Sequence, residues 1–155
     1  MTNELRRIYE KAGLLYNYFD ETTPCDLFRG QSGSEAKLGF PIIYPNPGFT
    51  TRDGSKRPAD VMIVERDGMK FVLGCVATTG HHRGISTFDA INPLLRNFRW
   101  YRLREGTKIP PALAITRDTT FKNKPNHYTI APINDMPLDL FLALIQELCE
   151  KLEPI

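Results

Sequence analysis

At 155 residues the chain is long enough for one domain, here residues 1–155, and too short for two independent cores. Hydrophobic residues make up 41% and charged residues 25%, as in ordinary soluble globular proteins. With 20 Lys+Arg against 18 Asp+Glu the net charge is +2, too even for a general nucleic-acid binder.

Residues 3–18 carry Leu5, Ile8, Tyr9, Ala12, Leu15 and Tyr16 at helical spacing, which predicts an amphipathic helix slightly weakened by Gly13. Pro24 ends that pattern, because the residue before a proline avoids the α region. Residues 25–30 read as a short strand, followed by a polar stretch over 31–39. Residues 41–57 form a long loop with Pro45-Asn46-Pro47-Gly48 and Arg52-Asp53-Gly54. Residues 59–64 and 70–76 flank Arg66-Asp67-Gly68 as a β-hairpin, with Asp-Gly supplying the left-handed turn. A polar connection over 78–84 follows, and Ser86 or Thr87 reads as the N-cap of a short helix running to about Phe98. Residues 100–104, 112–117 and 127–131 read as strands. A last helix starts near Pro137, with Leu138, Phe141, Leu142, Ile145, Leu148, Cys149 and Leu152 on one face. Two helices bracketing a strand-rich middle give an α+β class.

The longest apolar run, around residues 138–144, is broken by Asp139 and far too short to cross a bilayer. The charged N-terminus has no apolar segment of the kind found in secretion signals, so a cytoplasmic site of action, in a producing or a target cell, is expected. Cys25, Cys75 and Cys149 form no zinc-type pair and read as buried free thiols. His81 and His82 are adjacent in a loop and cannot easily converge on one ion, so no metal is expected.

Arg29 lies in an apolar strand between Phe28 and Gly30. A buried guanidinium needs a partner: either an internal carboxylate such as Asp60 or Asp89, or an anionic ligand. Gly30 favours the ligand, since a missing side chain lets one approach the backbone. Ser86 and Thr87 are a cap, or they present hydroxyls to an anion or a ribose. Neither has a recognisable general base beside it in sequence, which argues against a serine nucleophile. His127 is a core histidine, a ribose-binding group or a proton carrier.

Three blocks together resemble one family, the small type VI secretion effector toxins known as exported effector two. They are Leu27-Phe28-Arg29; residues 58–67 with Gly84-Ile85-Ser86-Thr87-Phe88-Asp89; and Gly106-Thr107-Lys108-Ile109-Pro110-Pro111 through His127-Tyr128-Thr129-Ile130. The match spans about residues 25–150. The resemblance implies an ADP-ribosyltransferase-like split β-sandwich with a dinucleotide cleft, bracketed here by N- and C-terminal helices. It implies NAD as co-substrate, and transfer of ADP-ribose to a cellular acceptor. NAD hydrolysis and a catalytically silent binding module are the alternatives on the same fold. Arg29, Ser86 and His127 are the expected catalytic residues; Arg29, Gly30, Ser86, Thr87 and Phe88 are expected to bind NAD. A cognate immunity protein is the implied partner, and no membrane is. Ile85 stands where the family has a threonine. No Gln-x-Glu or Glu-x-Glu follows a suitable strand, which leaves His127 or Asp89 in place of the usual carboxylate.

Overall fold

The protein is described from a computed structural model covering residues 3–45, 49–50, 52–54, 56–57, 59–74, 84–93, 95, 97–119 and 125–155. His81, His82, Cys75 and residues 46–48 of the long loop lie outside the described residues.

Helix α1 (Glu4–Lys11) begins at Asn3, whose side chain accepts from the Arg6 amide at 2.9 Å. It stops earlier than periodicity predicts because Gly13, at φ 71°, closes it. The Leu14 amide returns to the Tyr9 carbonyl and the Gly13 amide to Glu10, which is the hydrogen-bond pattern of a Schellman end. A 3₁₀ turn (Leu15–Asn17) leads into β1 (Tyr18–Phe19). After β2 (Leu27–Gln31), the stretch read as a polar loop contains a short helix, α2 (Gly33–Lys37). Its start is a capping box: Ser32 Oγ accepts from the Glu35 amide, and a Glu35 carboxylate oxygen accepts from the Ser32 amide.

Then come β3 (Phe49–Thr50), β4 (Lys56–Arg57), β5 (Ile63–Arg66) and β6 (Met69–Val72). The β5–β6 hairpin turns through Asp67 (φ 52°) and Gly68 (φ 77°), as the Asp-Gly pair predicts. The helix expected from Ser86 to Phe98 is not formed. Ile85–Phe88 is instead a strand, β7, and no helix occurs among the described residues 89–98. The alternation explains why: Ile85 and Thr87 are buried while Ser86 and Phe88 are half-buried, a period of two. Pairing on both sides outweighs the local capping tendency of two hydroxyls. The chain continues through β8 (Arg99–Leu103), β9 (Leu113–Thr119), β10 (His127–Pro132), β11 (Met136–Pro137), α3 (Leu138–Cys149) and β12 (Glu153–Pro154).

Among the described residues, seven strands form one sheet in the order β1-β9-β10-β7-β2-β8-β12; β11-β6-β5 and β3-β4 form two smaller sheets. Every pairing among the described strands is antiparallel, so the fold is α+β with segregated helices, in keeping with an ADP-ribosyltransferase-like architecture. One face of the large sheet supplies Leu27, Ile85, Leu113, Ile115, Tyr128 and Ile130 to the main core, where they pack with Val72, Met136 and the α3 residues Phe141, Ile145 and Leu148. Leu5, Tyr18, Ala114 and Ile133 form a second cluster that includes the α1 face. Ala114 and Ile115 are adjacent on one strand and belong to different clusters, as alternation requires. Beyond Ala114, the same sheet face turns polar.

Candidate functional site

That polar stretch is set by strand register. Thr129 of β10 lies opposite Ser86 on β7 and Thr116 on β9, and His127 lies opposite Phe88. Residues facing each other across antiparallel strands share a face, and so do residues two apart on one strand. Ser86, Phe88, Thr116, Thr129 and His127 are therefore gathered on one side of the sheet.

Their contacts form a chain. Ser86 Oγ and His127 Nε2 are 2.8 Å apart, and His127 Nδ1 lies 2.8 Å from Asp118 Oδ2. Thr116 Oγ1 donates to Asp118 Oδ1 at 3.2 Å, and Thr129 Oγ1 donates to Asp118 Oδ2. The His127 side chain is 31% exposed and the Asp118 side chain 19%, so the ring borders solvent while the carboxylate sits deeper. The Phe88 ring leans on the imidazole, with centroids 5.4 Å apart. A hydroxyl, an imidazole and a carboxylate in line can move a proton from oxygen to nitrogen. Ser86 thus does have a base beside it. Sequence missed it because the base is 41 residues away and is brought close only by β7–β10 pairing.

Arg29 reaches the same place from the other side. Leu27 and Arg29 are buried on β2 whereas Phe28 and Gly30 are half-buried, and Phe28 is the residue opposite Phe88. By alternation, the Arg29 side chain leaves the sheet on the core face, away from the Ser86 hydroxyl. Its guanidinium donates through Nη1 to the Ser86 carbonyl at 2.9 Å, through Nε to the Ile42 carbonyl at 3.1 Å, and through Nη2 to Glu35 Oε2 at 3.2 Å. Arg29 and His127 therefore hold one residue from two sides: the backbone of Ser86 and its hydroxyl.

Among the described residues the carboxylate paired with Arg29 is Glu35, in place of the expected Asp60 or Asp89. Asp89 is engaged by Asn126, accepting from its amide at 2.7 Å and from its side chain at 2.8 Å. Glu35 serves two partners, with Oε1 closing the capping box and Oε2 meeting Arg29. The Ser32-x-x-Glu35 spacing was the signal available in sequence. Three of the five Arg29 N–H groups are used in these contacts with the described residues.

Two other expected binding residues have partners inside the protein. A Cβ on Gly30 would lie 2.9 Å from Phe98 Cδ2 and 3.2 Å from the Trp100 ring. The missing side chain at Gly30 therefore makes room for the protein's own aromatic rings, which is a physical reason for glycine different from ligand approach. Thr87 is buried on the core face, and its hydroxyl donates to the Tyr128 carbonyl at 3.0 Å. Thr87 is thus directed away from the Ser86 side of the sheet. Cys25 and Cys149 are free and half-buried, and burial pushes both thiols up.

The residues of this arrangement fall inside the segment matched by a family model described as the Tse2 ADP-ribosyltransferase toxin, which covers residues 25–154. The chain belongs to this family. Its class of activity is accordingly that of an ADP-ribosyltransferase toxin, an enzyme of the transferase type. Among curated protein sequences nothing matches the chain. Residues 1–24, which carry α1 and β1, and Ile155 lie outside the match, whereas every side chain of the Ser86 cluster lies inside it. No described helix is long and apolar enough to cross a membrane.

Proposed function

We propose that the chain cleaves the nicotinamide–ribose bond of NAD and transfers ADP-ribose to a cellular acceptor, with Ser86 and His127 facing the reacting ribose. The observation that carries this reading is the 2.8 Å contact between Ser86 Oγ and His127 Nε2 on the polar sheet face of a chain with this family membership. The surroundings suit such a substrate in kind. Phe88 offers a half-buried ring beside the pair, and Ser86 and His127 offer hydrogen-bonding atoms suited to ribose hydroxyls. Arg29 supports the site from the core face by fixing the Ser86 backbone.

In the transfer, the bond from the ribosyl carbon to nicotinamide breaks and nicotinamide leaves with the electron pair. The acceptor's heteroatom bonds to that carbon and gives its proton to Ser86 Oγ, while the Ser86 proton passes to His127 Nε2. The protein contributes orientation and a route for the proton.

The test is incubation of the protein with NAD labelled in the adenylate half and a cell extract. Labelled macromolecules are expected, with nicotinamide released in step. Ser86→Ala and His127→Ala each reduce the rate by about 10²-fold or more. Free labelled ADP-ribose without labelled macromolecules would identify water as the acceptor. Absence of any nicotinamide release refutes the enzymatic reading in favour of a binding module.

A further inference from the structure

The sequence offers no carboxylate at the place where this class of enzyme carries one, yet the structure brings one to His127. We infer that Asp118 is a positioning residue that fixes His127 in the tautomer with hydrogen on Nδ1, leaving the Nε2 lone pair free to take the proton of Ser86. The inference rests on the proposed function for its catalytic part and on geometry alone for its structural part.

The logic is one of donors and acceptors. An ionised carboxylate has only acceptor sites, so the 2.8 Å contact from His127 Nδ1 to Asp118 Oδ2 requires hydrogen on Nδ1. In the neutral ring Nε2 is then an acceptor, and the only hydrogen available to fill its 2.8 Å contact with Ser86 is the hydroxyl hydrogen. The ring is thus oriented to remove a proton from Ser86 and not to donate one.

Two features hold Asp118 beside the ring. The pairing of β9 with β10 shifts between His127 and Tyr128: His127 lies opposite Thr119 and Tyr128 opposite Arg117, which leaves Asp118 as the extra residue of a β-bulge. Lying two residues after Thr116, Asp118 shares the polar face of the sheet even so, and its carboxylate meets the imidazole. Its carboxylate is also clamped, since Thr116 and Thr129 donate one hydrogen bond to each oxygen. Both threonines are buried and β-branched, with few rotamers to choose from.

When His127 takes the Ser86 proton it becomes an imidazolium, with Asp118 as its counter-charge. No atom of Asp118 bonds to substrate, and the carboxylate keeps its charge throughout. Its effect falls on the rate of transfer and not on the capture of NAD.

The experiment uses full-length, uniformly ¹⁵N-labelled protein at a pH where the ring is neutral, with His127→Gln identifying the ring signals among three histidines. The wild-type His127 ring is expected to show a protonated Nδ1 and an unprotonated Nε2. In Asp118→Ala the hydrogen moves to Nε2, the ordinary preference of a free histidine side chain. Asp118→Asn, close in size, serves as the second variant should Asp118→Ala fail to fold. In the NAD assay the folded variants lose kcat by about 10²-fold or more with KM for NAD unchanged. A wild-type ring with hydrogen on Nε2, the same tautomer in wild type and in both variants, or full kcat without Asp118 would each overturn the inference. Wild-type protein that turns over no NAD overturns the proposed function instead, and leaves the tautomer measurement standing.

Discussion

Removing the Arg29 guanidinium tests whether it is first a structural brace. Arg29→Ala takes away three donors at once, from the carbonyls of Ile42 and Ser86 and from the Glu35 carboxylate. The Arg29 and Glu35 side chains are only 10% and 13% exposed, so water replaces little of what is lost. Breaking a buried ion pair from one side costs roughly 3–5 kcal/mol, because the remaining charge stays desolvated. Hydrogen bonds to a charged group, at about 1.5–3 kcal/mol each, reach that range with two of the three contacts. Such a loss is a large share of the ~5–15 kcal/mol that stabilises a typical domain. At about 2–4 °C per kcal/mol for a chain of this length, the midpoint of thermal unfolding falls by roughly 6–20 °C. Urea unfolding followed by circular dichroism measures the change directly, and an unchanged slope shows that the folded and unfolded ensembles are comparable. Glu35→Gln keeps an oxygen for the capping box and costs less than Arg29→Ala. The double variant Arg29→Ala/Glu35→Gln recovers part of the single loss, by a coupling of about 0.5–3 kcal/mol. A stability for Arg29→Ala within about 0.5 kcal/mol of wild type, as at an ordinary surface site, refutes the reasoning. It would leave Arg29 free to act wholly on a ligand. NAD assays on Arg29 variants therefore need correction for the folded fraction.

Burial pushes the Tyr18 and Tyr128 hydroxyls from their ordinary value of 10 up to about 12. The folded state holds both as phenols, so this contribution to stability is complete below pH 10 and is lost as pH rises toward 12. Phenolate absorbance should show these two of the six tyrosines titrating late; six tyrosines ionising together near pH 10 in folded protein would contradict it. Gly84→Ala would place a Cβ 2.2 Å from the Ile130 carbonyl oxygen, where β7 starts against β10. We expect a loss of about 1–3 kcal/mol or more in urea unfolding, with impaired NAD turnover because Ser86 is two residues on. A fully stable, fully active Gly84→Ala would show that the two strands are not held this close.

Much of the framework was legible before any coordinates. The α3 face, the Asp67-Gly68 hairpin and the strands carrying Arg29 and His127 follow from periodicity and turn chemistry, which act over a few residues. Family membership was legible too, because three separated blocks carried it. Where local signals competed with pairing, they misled: Ser86 and Thr87 have the chemistry of a helix cap, yet β10 on one side and β2 on the other make them a strand. Gly30 is similar, its bareness explained by Phe98 and Trp100 arriving from far along the chain. The site depends most on such encounters. Asp118 lies one residue past the strand end that the pattern suggested, and the pairing of β9 with β10 brings it to His127. Sequence fixed which residue types were present and which segments could be helix or strand, since backbone propensity and periodicity are local. Sheet register alone decided that Ser86, His127 and Asp118 meet, because those contacts join residues on separate strands that no short-range rule connects; the turn from β2 into α2 set the Arg29–Glu35 pair.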